Sequence, residues 1–128
     1  MDYLYHGSSK KIDILIPHQA VDTGFEEGCQ NAVYATSNKK MALAFALGTK
    51  PNKDGEIERV MLPESGDIMV FEKGTPNYGG KGYLYVLDKS KFQHCLGTQY
   101  VCFEEAKPIE IIEINVDDYL NLCSVREQ

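Results

Sequence analysis

The chain reads as an α+β domain built mainly from antiparallel sheet, and three observations predict it. Short runs rich in Tyr, Val and Ile recur between turn signals. One strongly apolar helical pattern, Met41 to Leu47, stands early among them. The later strand runs follow one another without intervening helices, the order that separates α+β folds from alternating, parallel α/β folds.

Taken in order, residues 2–6 form a run with aromatic side chains, and Gly7 and Ser8 permit an abrupt exit from it. Ile12, Ile14, Leu15 and Ile16 make a short apolar patch closed by Pro17. The stretch from His18 to Asn31 is polar and contains Gly24 and Gly28, which predicts a long loop with the dimensions of a lid. Ala32 to Ala35 returns as a strand. Ser37 is a candidate helix N-cap and Gly48 a candidate stop, with an apolar, buried helix between them. Thr49 to Gly55 reads as a polar loop. Ile57 to Leu62 and Ile68 to Phe71 read as strands around a Pro63-Glu64-Ser65-Gly66 turn. Gly74 to Gly82 holds four glycines and a proline and predicts an exposed, mobile connection. Tyr83 to Leu87, Gln99 to Phe103 and the alternating Ile109 to Ile114 complete the strands.

Composition bounds the function. At 128 residues the chain fits one domain, residues 1–128, and can bury about two-thirds of its unfolded surface without staples. A net charge of −6 argues against nonspecific binding to nucleic acid or anionic membranes, although Lys10, Lys11, Lys39 and Lys40 could form a local basic patch. Cys29, Cys95, Cys102 and Cys123 have no Cys-x-x-Cys spacing, which suits reduced thiols in a cytoplasmic protein. His94-Cys95 is the one adjacent pair, and it argues for no metal site. No apolar run approaches the length of a membrane span.

Three segments carry the candidate chemistry: Tyr5-His6-Gly7-Ser8, Val33-Tyr34-Ala35 and Gln99-Tyr100-Val101. Glycine at a strand end lets a flat ligand approach the backbone, whose N–H and C=O can then pair with a carboxamide. His6 beside it can donate to a ribose hydroxyl. Tyr34 and Phe45 could sandwich a planar base, each face adding on the order of 0.5–1.5 kcal/mol. Each element also has an ordinary structural explanation: His-Gly-Ser is a common turn, and Phe45 lies in an apolar helix.

Their order is more specific. Leu4-Tyr5-His6-Gly7-Ser8, then Val33-Tyr34-Ala35-Thr36-Ser37 and the Ala42-Leu43-Ala44-Phe45 helix, resembles the ADP-ribosyltransferases. The similarity is to the branch of poly-ADP-ribose polymerases and diphtheria toxin, with its His-Tyr-Glu motif, and runs from residue 3 to roughly residue 116. The resemblance implies a split, mainly antiparallel sheet that clamps NAD as substrate. It implies that His6 binds the adenine-side ribose, that Gly7 with Ser8 holds the carboxamide, and that Tyr34 and Phe45 bracket the nicotinamide. Phe45 stands where the family usually has a tyrosine, and Ala42 where the polymerases have a serine that bonds the carboxamide. His6, Tyr34 and Gln99 would form the catalytic set, with glutamine in the place of glutamate.

That exchange matters because cleavage of NAD leaves a ribosyl group with oxocarbenium character. A glutamine accepts a hydrogen bond but brings no charge, a deficit of about 3 kcal/mol or roughly a hundredfold in rate. The expectation is mono-ADP-ribosyl transfer to an unknown acceptor, or slow NAD hydrolysis. The alternative is an inactive module that holds NAD or ADP-ribose. RNA 2′-phosphotransfer would need several arginines, and Arg59 and Arg126 are the only two, with neither expected beside the motifs. A fourth reading makes Gly74 to Gly82, with Tyr78, a partner-binding loop.

Overall fold

A computed structural model describes residues 2–19, 31–62 and 67–126. Its strands are β1 (Tyr3–Ser8), β2 (His18–Gln19), β3 (Asn31–Thr36), β4 (Glu58–Met61), β5 (Met69–Lys73), β6 (Lys81–Asp88), β7 (Gln93–Leu96), β8 (Gln99–Cys102), β9 (Glu110–Asn115) and β10 (Cys123–Val125). Helix α1 spans Lys39–Ala46, and Lys89–Lys91 and Val116–Leu122 form 3₁₀ turns. The class is α+β, mainly antiparallel, with few helices, as the order of apolar runs predicts.

One sheet runs β7-β8-β3-β1-β6-β9, with β2 paired to β3, and a smaller sheet runs β10-β5-β4. All described pairings are antiparallel except that of β10 with β5. The short Cys-Ser-Val of β10 and the Gln-His-Cys-Leu of β7 carry too little β-branched or aromatic bulk to announce themselves as strands.

Helix α1 lies almost directly on the large sheet. A Cβ added to Gly7 would sit 1.7 Å from the carbonyl oxygen of Ala42, and one on Gly82 would sit 2.1 Å from that of Ala46. Two glycines on neighbouring strands under two alanines of the helix therefore set the helix–sheet distance. This overturns two sequence expectations. His-Gly-Ser is not a turn: β1 runs on through it, with Gly7 opposite Leu84 and Ser8 opposite Tyr83. Gly82 belongs to β6 rather than to a loose connection.

The preceding residues are also tied down. Asn77 N–H donates to Leu47 O, Gly79 N–H to an Asp117 carboxylate oxygen and Val116 N–H to Gly80 O. Turn residues here serve a helix-packing loop instead of a free tether.

The core has two layers. On the helix side, Leu43, Met69, Phe71, Leu84, Ile114 and Leu122 pack with the buried alanines of α1. On the other face, Leu4, Val33, Ala35, Tyr85, Leu87 and Cys102 pack with Leu15. Leu15 is held there by paired backbone bonds to Ala106 at 2.9 and 2.8 Å, so the 12–16 segment covers this face while Ile12, Ile14 and Ile16 stay exposed. Cover on both faces explains why Ile111 packs on one side and Ile112 and Ile114 on the other.

The helix ends test the capping assignments. Gly48 adopts φ 69° just beyond the C-cap Leu47, as a helix stop requires. The N-cap is Asn38 rather than Ser37, because its Oδ1 accepts from Met41 N–H at 3.2 Å. The helix is buried through Ala42, Leu43, Ala44 and Ala46, but Phe45 is 38% exposed. The expected lid falls largely on residues 20–30, and the Pro63–Gly66 turn on residues 63–66, both outside the described residues.

Candidate functional site

The three motif segments fall on three consecutive strands, β8, β3 and β1. Between β3 and β8 the ladder is complete, from Val33↔Cys102 to Thr36↔Gln99. Between β1 and β3 only Tyr5↔Thr36 is paired. Beyond that pair the two strands part, and a side chain takes the place of the next ladder bond: His6 Nδ1 lies 2.6 Å from Tyr34 O. A carbonyl can only accept, so Nδ1 carries the proton.

Tyr34 O is thus directed towards β1. In an antiparallel ladder the backbone groups of alternate residues point the same way, so Tyr5 and Gly7 both aim N–H and C=O at the β3 side. Tyr5 meets its partner. Gly7 lies past the last pair and faces the gap.

The pleat sorts the side chains. Val33, Ala35 and Tyr100 pack on the face away from α1, so Tyr34, Thr36 and Gln99 issue from the helix side. Tyr34 pairs with Val101 and Gln99 with Thr36, which makes Tyr34 and Gln99 diagonal neighbours about 7–8 Å apart. His6 issues from the opposite face, with Leu4. Its ring reaches the gap edgewise, set against the Tyr85 ring at 5.7 Å in a T-shaped contact. Tyr34 and Gln99 therefore meet on one surface, and His6 reaches the same gap from the other.

The roles of individual residues sharpen accordingly. His6 Nδ1 donates to Tyr34 O, which fixes the ring at the edge of the gap. Ser8 Oγ accepts from Lys10 N–H at 3.1 Å and closes the turn after β1. Ala42 is fully buried against Gly7, so its side chain belongs to the helix–sheet core. Gly7 has two uses at once: its missing Cβ admits α1, and its peptide groups face the gap.

Two contributors were not legible as such. The Arg59 guanidinium sits 5.4 Å over the Phe45 ring, so this arginine does lie beside a motif residue, brought there by β4 of the small sheet. No spacing rule links the two positions. Tyr85 lies within the Tyr83 to Leu87 strand run, where nothing in the sequence sets it apart. Its hydroxyl donates to Lys10 O at 2.7 Å and accepts from Ile12 N–H at 2.9 Å, fixing the chain that leaves the motif, while burial pushes its pKa up.

Compared with protein-family models, curated proteins and solved structures, the chain has no significant match. Among the described residues, no helix is long and apolar enough to cross a membrane.

Proposed function

We propose that this chain is an ADP-ribosyltransferase-like protein that takes NAD as substrate in the gap between β1 and β3. The observation that supports this best is the parting of those strands beyond Tyr5↔Thr36, with Gly7 facing the opening and Tyr34 and Gln99 beside it. A planar carboxamide presents one donor and one acceptor group side by side, the complement of one peptide N–H and C=O. Tyr34 and Phe45 supply aromatic surface on the helix side. The His6 ring at the edge of the gap binds a hydroxyl of the adenine-side ribose.

In the reaction, the C1′–N bond of the nicotinamide ribose breaks and its electron pair leaves with the ring, which becomes neutral nicotinamide. The ribosyl carbon is then taken by an acceptor nucleophile, which gives up its proton, or by water. Gln99 orients a ribose hydroxyl through its amide oxygen without adding negative charge. An acceptor that brings its own base fits this site better than polymer growth does.

A second reading, a module that holds NAD or ADP-ribose without turnover, is favoured by one observation. Glu104 and Glu105 are exposed and lie beyond the far end of β8 from Gln99, so neither stands in for the missing carboxylate. Two measurements on the purified protein separate the readings: thermal shift with NAD, and release of nicotinamide. Shift with release supports the enzyme, and shift without release the module. No shift up to millimolar NAD would remove both.

A further inference from the structure

Among the described residues, Thr36 is the buried polar side chain of the core, 7% exposed, and its partners meet at one point. Thr36 Oγ1 donates to Thr98 Oγ1 at 3.0 Å and accepts from Asn38 N–H at 3.0 Å. Ser37 N–H donates to Thr98 O at 3.0 Å. Thr98 Oγ1 in turn donates to Met41 Sδ at 3.6 Å. This clasp joins the end of the Tyr34 strand, the start of the Phe45 helix and the residue immediately before Gln99.

The helix does not need it. Asn38 caps α1 through its own side chain to Met41 N–H and its carbonyl to Ala42 N–H. On its other side the start of β8 meets β7 across a tight turn: Leu96 pairs with Gln99 after a register slip between His94 and Leu96, and Gly97 turns at φ 58°. Gln99 is thus held between Leu96 of β7 and Thr36 of β3, and the two threonine hydroxyls tie the residue before it to the β3 side.

Resting on the NAD reading above, we infer that the Thr36–Thr98 clasp is a positioning device that aims residue 99 at the reacting ribose. Thr98 is a positioning residue: it acts through residue 99 and not by contact with substrate. Thr98 is exposed, but loss of its hydroxyl leaves the buried Thr36 hydroxyl without this acceptor, so a small fall in melting temperature accompanies it. A misplaced group at the reacting centre, by contrast, costs rate steeply, up to about a hundredfold for a displacement near 1 Å.

The experiment uses Gln99→Glu to give measurable turnover, then adds Thr98→Val or Thr98→Ser. Nicotinamide release gives kcat and KM, and NAD thermal shift and melting temperature are read in parallel. Gln99→Glu should raise turnover roughly a hundredfold. Adding Thr98→Val should lower kcat about tenfold with KM within about twofold and only a small fall in melting temperature, and Thr98→Ser should restore both. Equal kcat with and without Thr98→Val overturns the inference, as does a kcat loss that serine does not rescue. If Gln99→Glu binds NAD but gains no turnover, residue 99 is not at the reacting centre: the inference falls while NAD binding stands. If the wild-type chain shows no NAD shift, the reading of the site falls with it.

Discussion

Strand β1 has two unlike edges. Against β6 it is paired at every residue from Tyr3 to Ser8, whereas against β3 it is paired at Tyr5 alone. The zipped edge is where the fold gains stability, with α1 laid over Gly7 and Gly82. The open edge withholds ladder bonds and puts an imidazole in their place. Backbone groups inside a sheet are normally paired, so a sheet that parts at its centre spends stability there.

The largest effect should come from closing the space on which the zipped edge depends. Gly7→Ala drives a methyl into the Ala42 carbonyl, with a fixed helix backbone on one side and a strand paired along its whole length on the other. Overpacking of this kind costs on the order of 3 kcal/mol. Urea unfolding should show the loss for Gly7→Ala, and a nearly equal one for Gly82→Ala, which removes no gap-facing residue. If Gly7→Ala unfolds like the wild type, the helix does not rest on the strand, and the division between the two edges is wrong.

A smaller effect tests the open edge. His6→Ala removes the donor to Tyr34 O and the ring at the gap, so NAD affinity should fall about tenfold, near the value of one good hydrogen bond. His94 is exposed, bonded to Gly97 O in the β7–β8 turn, and His94→Ala should leave affinity within about twofold. A calorimetric titration that ranks the two histidines the other way would move the ligand out of the β1–β3 gap.

What could be read from sequence divides along the same line. The runs at 2–6, 32–35 and 99–103 announce themselves through local bulk and motif, and so does the helix between them, although β1 continues through Gly7 and Ser8. Their adjacency, and the single pair that joins β1 to β3, arise from contacts between distant segments that no local pattern encodes. The glycines mislead for a physical reason. Gly7 and Gly82 look like turn residues by composition, yet each is used for the absence of a side chain beneath a helix. Ser37 and Asn38 are both good caps, and the hydrogen bond from Met41 N–H at the helix start settles the cap on Asn38. Thr36, Thr98 and Tyr85 are inconspicuous in sequence because their value lies in hydroxyl contacts made across the fold.

The finest effect concerns the link between the two edges. Tyr85 stands on β6, the zipped side, but its ring supports His6 and its hydroxyl binds Lys10 and Ile12 beyond the gap. Tyr85→Phe keeps the ring and removes two hydrogen bonds, leaving Ile12 N–H without that acceptor, and should cost about 1–2 kcal/mol at neutral pH. Its pH dependence identifies the cause. Burial raises the phenol pKa, so in alkali the folded state keeps a proton that the unfolded chain has already released. The stability held by that proton is complete below the unfolded tyrosine value of about 10, and is lost as pH rises through the higher folded value. Melting curves taken across this window should fall more steeply for the wild type than for Tyr85→Phe, so that the two converge at high pH. Parallel curves would mean that the Tyr85 hydroxyl does not hold the segment that leaves β1, and that the two edges are independent of each other.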